Sequence, residues 1–556
     1  DPSYGSWHSC VIGGGGYLLN AVLCPSNPNR MYVYGDMDGL FRSDDAGKTW
    51  RMIHGGMDVK EGHYEFAGLT VNPRNADVIA VACGGQNGPR QGVFISGNGG
   101  STWSKTLDVR FMGNGPFRWA GSRIAGSCGT DGRLIAATEG SGVWRSMNGG
   151  RTWLDCGLEG EFFTDVHVDR TNGNRVWLCA KPVQLDSGEF TKLSGKLYRS
   201  EDGGKTWMKL ADESPFEIVQ DPVKASVLYG LFDSNVKRSL DGGTTWHDFS
   251  DGLPVGPTDH LGTAPFRAVG AGPDFILVVQ NDTKKIFRLD SGQSRWQAIK
   301  PTFEKTGWRF NFFSPPANDA SSIAVSPLDR NHWYLTDEFG IYQTWDAGRT
   351  WKPSNQGIET TVIHTITQDP SNVSGVYLGA ADIGFWWSED AGTVLNQTIS
   401  SSAGWVGNIK CVDASVKLPQ RVYAVGGEGW KSDRVYVSTD RGKSVSLLPM
   451  HGTGLPDGPF SCNSIVVDPR DPLSVYLATS TVVGATSGGA YHSSDGGRSW
   501  TWAGRGLPTG APVFQDNIWW GGRELAMGTD GTLLAISARR NGVYRYDGAT
   551  ATWNAL

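Results

Sequence analysis

The sequence predicts an all-β chain folded as a β-propeller, and three observations carry that expectation. A short turn of the form Ser-x-Asp-x-Gly-x-Thr-Trp recurs along the whole chain. Between its copies lie short strand-like runs, about four per interval, which is the grammar of propeller blades. The composition agrees: 76 Gly and 23 Trp in 556 residues, with few apolar stretches at helical spacing, suit short strands joined by tight turns.

The turn is clearest at Ser43–Trp50 and returns at Ser96–Trp103, Ser146–Trp153, Ser200–Trp207, Ser239–Trp246, Thr344–Trp351 and Ser493–Trp500. Degenerate copies lie at Ser388–Leu395, Ser438–Val445, Leu289–Trp296 and Tyr546–Trp553. Eleven copies, most of them roughly 40 to 55 residues apart, mark an internal repeat. The Asp or Asn oxygen is expected to accept backbone N–H groups within the turn. The Gly takes a φ closed to other residues, and the Trp packs into the apolar layer. The turn is a lock and carries no catalytic role.

In the first unit the strand pattern runs Leu18–Cys24, Arg30–Tyr34, Gly39–Ser43 and Trp50–Ile53. Units follow near residues 15–55, 63–110, 120–157, 163–210, 216–252, 265–299, 320–355, 361–398, 407–449, 462–504 and 523–556. Eleven four-stranded blades exceed an ordinary ring of four to eight, so two propellers in tandem are expected, one wide ring being the alternative. The expected division is a seven-bladed propeller over 1–355 and about four blades over 356–556. Unit three resembles unit eleven, and unit one resembles unit eight, where Val376–Asp390 repeats the pattern of Tyr32–Trp50.

Composition narrows the function. A net charge of -6 with no basic cluster disfavours a nucleic-acid partner. No run of about 18 apolar residues is present to span a membrane. The eight dispersed cysteines form no Cys-x-x-Cys pair, leaving disulfides or buried thiols. The ten histidines lack ligand spacing, and no Gly-x-Ser-x-Gly elbow is present. Asp1-Pro2 reads as a processed end, and Asn281, Asn372 and Asn396 stand in N-x-S/T sequons, so secretion is expected.

Loops that leave the second strand of a propeller blade open near the axis, where ligands bind. That position holds Asp36 and Asp38, Glu139, Asp233, Asp337 and Glu338, Asp382 and Glu428. Flat apolar surfaces for sugar rings are offered by Trp119, Trp386, Trp405, Trp430, Trp519 and Trp520, with core packing as the other account of each. Trp386 and Trp387 are adjacent on a strand and point to opposite faces, so both cannot easily be core. Arg118 and Arg123 are candidates for sugar recognition, with a structural salt bridge as the alternative.

Cys10–Tyr17, Arg30–Phe41, Gly113–Arg118, and above all Gln356–Val362 leading to Ala381–Phe385, resemble glycoside hydrolase family 74. That family contains endo-xyloglucanases built from two Asp-box propellers with a cleft between them. The resemblance implies a base at Asp36, within Tyr34–Gly39, and an acid at Asp382, within Ala381–Gly384. Asp38 replaces a Gly usual in the family and is a rival base, and about three blades of the second propeller are missing from the pattern. The resemblance also implies inversion, for which a water must fit between carboxyls roughly 6.5–9.5 Å apart.

The residues themselves favour the same division of roles. One carboxyl must hold a proton near neutral pH, which apolar surroundings promote. Asp382 has Ile383, Phe385, Trp386 and Trp387 beside it, whereas Asp36 has Gly35, Asp38 and Gly39. The expected protein is a monomeric, secreted hydrolase of a β-glucan such as xyloglucan, needing no metal or cofactor. The alternatives are a polysaccharide lyase, with His63, Tyr64 and Arg118 as first suspects, and a non-catalytic receptor or adhesin.

Overall fold

The structure, a computed structural model, describes residues 12, 16–37, 39–57, 65–85, 91–115, 117–126, 132–181, 195–254, 265–281, 285–304, 320–400, 407–427, 433–456, 460–481, 489–508, 524–537 and 542–556. Every regular element among them is a strand, and the strands form eleven sheets of four or five. All strand pairs are antiparallel except two short parallel additions, Thr302–Phe303 and Ile399–Ser400. The chain is an all-β propeller protein. Its backbone divides into two compact units, residues 13–360 and residues 361–556 with 1–12.

The first sheet shows how sequence becomes blade. Strands β1 (Leu18–Leu23), β2 (Met31–Gly35), β3 (Leu40–Ser43) and β4 (Arg51–Met52) pair in that order. All five residues of β2, MYVYG, are buried, because a middle strand is covered by a neighbouring blade on each face. Both residues of β4 are exposed, because the last strand of the blade lies at the rim. Between β2 and β3 the Gly35 N–H donates to the Gly39 carbonyl at 3.0 Å. Gly39 stands at φ +116, and a Cβ there would lie 2.5 Å from the His54 ring.

The recurring turn behaves as its composition requires. The Ser43 hydroxyl donates to Asp45 Oδ1 at 2.8 Å and accepts the Gly47 N–H at 2.8 Å. Asp45 also accepts the Thr49 N–H at 2.9 Å and the Thr49 hydroxyl at 2.6 Å. The same bonds recur at Asp202, Asp241, Asp346, Asp440 and Asp495. Asn98 and Asn148 keep the accepting oxygen and donate to the Thr hydroxyl through their amide nitrogens. Two of the turn Trp residues staple their blade to the preceding one: Trp103 Nε1 donates to the Ile53 carbonyl at 2.8 Å, and Trp296 Nε1 to the Phe249 carbonyl at 2.7 Å.

Within residues 13–360 seven sheets close a ring. Their first strands, Leu18–Leu23, Phe66–Asn72, Ile124–Gly126, Glu159–Val168, Glu217–Gln220, Phe266–Ala271 and Ser322–Val325, pack each against the next, and the last against the first. The closing seam joins sheet seven to sheet one. There the Leu18 N–H donates to the Asp337 carbonyl at 3.0 Å, Trp50 Nε1 to the Ser354 carbonyl at 2.8 Å, and Gln343 Nε2 to the Gly47 carbonyl at 2.8 Å. The apolar core lies between sheets: at this seam Leu18, Met31, Val33, Phe41 and Trp50 meet Tyr334, Ile341 and Ile358.

Within residues 361–556 the described residues form four sheets, with first strands Ile363–Gln368, Asn408–Ala414, Phe460–Val467 and Leu525–Met527 packed in that order. Six cysteines among the described residues are free thiols; Cys24, Cys83, Cys179, Cys411 and Cys462 are buried, as the second of the two expectations has it, and Cys156 is half-buried.

Candidate active site

Asp36 and Asp382 occupy the same slot in their respective blades, the loop between the second and third strands. Asp36 follows β2; Asp382 lies between Val376–Ala380 and Gly384–Ser388, whose register closes at Ala380 opposite Gly384.

Asp36 is buried, 6% exposed. Its N–H donates to the Tyr17 carbonyl at 3.1 Å, and its Oδ2 lies 2.7 Å from Arg118 Nε in an ion pair. The guanidinium of Arg118 sits 5.2 Å from the centre of the Tyr17 ring. Burial raises the proton affinity of Asp36 above the ordinary carboxylate value, and the charge and hydrogen bond of Arg118 oppose that rise.

Arg118 reaches Asp36 from a tight turn over residues 117–120, in which the Ala120 N–H donates to the Phe117 carbonyl at 3.0 Å. Phe117 takes the left-handed conformation, φ +58. Below it Trp119 is 4% exposed, 5.0 Å from the Phe216 ring, with the Arg267 guanidinium 4.9 Å from its own.

Asp382 is half-buried and left-handed, φ +60, a conformation that Asp and Asn tolerate better than most residues. Its N–H donates to Asn408 Oδ1 at 2.9 Å, and Asn408, 5% exposed, opens the first strand of the next sheet. The Ile383 carbonyl accepts both Trp386 Nε1 and Gln397 Nε2 at 3.0 Å, which pins the base of the turn.

These environments reverse one expectation. Asp382 has apolar neighbours in sequence, but Ile383, Phe385 and Trp386 are buried, at 2%, 1% and 3% exposed, while Asp382 itself is only half-buried. Asp36 has small neighbours in sequence, yet Tyr17 and Arg118 close over it.

The other candidates take the following places. Trp119 and Trp386 are core residues with no face for a sugar. Trp387 is half-buried, with the Lys443 ammonium 5.1 Å from its ring centre and its Nε1 buried without a hydrogen-bond partner. Arg118 and Arg123 both make salt bridges, Arg123 with Glu139 at 3.1 Å. Asp233 pairs with Lys181 at 2.9 Å, and Asp337 accepts the N–H groups of Phe339 and Gly340. Asp38, Glu428, His63, Tyr64, Trp405, Trp430, Trp519 and Trp520 lie outside the described residues.

Trp119→Ala is therefore expected to cost about 3–5 kcal/mol of stability in denaturant unfolding. Affinity for an oligosaccharide should change little, the opposite of a stacking platform. Asn408 carried no signal in the sequence, since it acts through a fold contact between adjacent sheets; Tyr17 lay within the Cys10–Tyr17 segment, but nothing there pointed to its contact with Asp36.

No family model matches the chain. The chain is similar to xyloglucanase Xgh74A of Acetivibrio thermocellus, 25% identical over 370 residues, 62% of this chain and 39% of that protein. It is also similar to a xyloglucanase of Hypocrea jecorina, 22% identical over 519 residues, 80% of this chain and 61% of that one. The chain thus spans less than two thirds of the length of either relative. Among solved structures, a glycoside hydrolase family 74 xyloglucanase from Xanthomonas campestris matches with TM-score 0.70 and 19% identity, over 99% of this chain and 88% of that one. The likeness is to propellers of the family 74 xyloglucanase type, and at these identities the structural match establishes the shared fold.

Proposed function

We propose that this protein is a secreted, endo-acting, inverting glycoside hydrolase that cleaves a β-linked glucan such as xyloglucan. Asp382 donates the proton to the leaving oxygen, and Asp36 activates the attacking water. The observation that carries the reading is the placement of two carboxylates in the same second-strand slot of two blades, in a chain whose relatives are xyloglucanases. The division of roles draws support from Arg118. A guanidinium 2.7 Å from Asp36 favours the carboxylate form and so disfavours a stored proton there. Burial at the same time strengthens Asp36 as a proton acceptor, as a general base requires. The donor role falls to Asp382, half-buried in the matching slot of its own blade.

The test is incubation of the purified protein with a panel of polysaccharides, with product size and the anomer first released read by NMR. Shorter xyloglucan fragments with an initial α-anomer are expected, since inversion at a β-bond gives α. Products with unsaturated-uronate absorbance, or binding without turnover, would overturn the reading in favour of a lyase or a receptor.

A further inference from the structure

We propose that Arg123 is a positioning residue for Asp36, acting by clamping the turn that holds Arg118 on the Asp36 carboxylate. The proposal rests on the reading of Asp36 as the general base.

Arg123 is 2% exposed, and each part of its guanidinium is engaged on the wall of the turn. Nε donates to Glu139 Oε1 at 3.1 Å, one terminal nitrogen donates to the Phe117 carbonyl at 3.0 Å, and the other donates to the Ala120 carbonyl. Phe117 and Ala120 are the first and last residues of the turn, with Arg118 between them. The clamp has a fixed base: the Arg123 N–H donates to the Ala67 carbonyl at 3.1 Å, and its carbonyl accepts the Ala137 N–H at 2.9 Å. The left-handed Phe117 needs such a hold, because an unclamped turn would relax toward an ordinary φ and carry Arg118 with it.

Only arginine suits the position. Two carbonyls and a carboxylate in three directions match its planar fork, whereas a lysine ammonium on a flexible stem serves one or two of them. Glu139 is itself 7% exposed, and besides Arg123 its carboxyl faces the N–H groups of Met112 and of its own main chain. Asp165, Glu217 and Tyr34 also lie within the field of Arg123. Asp165 is itself fixed by the N–H groups of Ser122 at 3.2 Å and Ile218 at 3.1 Å. Asp36 faces Arg118, with its own N–H and that of Met37, and Tyr17 lies beneath the guanidinium.

The experiment is the pH profile of kcat/KM on the polysaccharide for R123M, R123K, R118M and the R118M/R123M double variant. Arg118 favours ionised Asp36, so losing it moves the acidic limb to higher pH, by about one unit. R123M is expected to move the limb in the same direction, R123K not to restore it, and the double variant to move it no further than R118M. A limb unmoved in R123M, restored in R123K, or shifted additively in the double variant would overturn the clamp. A limb unmoved in R118M would instead overturn the Asp36 reading on which the clamp rests. Should R123M fail to fold, E139Q replaces it: a smaller shift in the same direction supports the clamp, and an unmoved limb overturns it.

Discussion

Asp382→Asn is expected to lower kcat on xyloglucan about 10²–10⁴-fold. It should spare most turnover of an aryl glycoside with an activated phenol leaving group. The reason is chemical: a sugar oxygen needs a proton to depart, and an activated phenolate does not. The substitution is unusually clean at this position. Asn accepts the left-handed backbone that Asp382 adopts at φ +60. The N–H bond to Asn408 Oδ1 belongs to the main chain and survives the change. The melting temperature should therefore hold, which separates lost chemistry from a lost turn. Equal losses on both substrates would remove Asp382 from the donor role.

The scaffold was legible because its signals are local. A Ser, an Asp or Asn, a Gly and a Trp within eight residues fix one turn, and each copy forms its bonds within itself or with the preceding sheet. The shared slot of Asp36 and Asp382 was legible for the same reason, since strand, turn and strand are contiguous. Burial at the slot was not legible. Asp36 is closed in by Arg118, 82 residues away in sequence, and Trp119 is buried by Phe216 and Arg267, which are farther still. Trp119 offered a flat indole in the sequence, but the tight turn 117–120 packs it inward against Phe216. The adjacency of Trp386 and Trp387 predicted opposite faces, and the structure gives one buried and one half-buried indole.

Asp36→Asn should abolish activity to a similar degree, about 10²–10⁴-fold, but with no dependence on the leaving group, because water activation is required whatever departs. The parent's pH profile carries a second signature. Burial raises the pKa of Asp36, so the acidic limb of kcat/KM should lie above the ordinary carboxylate range, with activity lost as pH falls through it. The same shift sets the sign of the stability effect. A carboxyl whose folded pKa exceeds its unfolded value binds its proton more tightly when folded, so ionising it at neutral pH costs stability. Asp36→Asn removes that cost and leaves Arg118, 37% exposed, in contact with solvent. The variant should thus melt no lower than the parent at pH 7, and any gain should vanish at pH values where Asp36 is already protonated. Asp337, 1% exposed and accepting two backbone N–H groups, supplies the contrast. Asp337→Ala leaves those donors buried and unpaired, so it should cost about 1–3 kcal/mol per lost partner. A carboxylate kept for chemistry lowers stability and raises rate, whereas one kept for the fold does the reverse. If Asp36→Asn instead melts well below the parent while retaining turnover, Asp36 belongs with Asp337 as a structural residue.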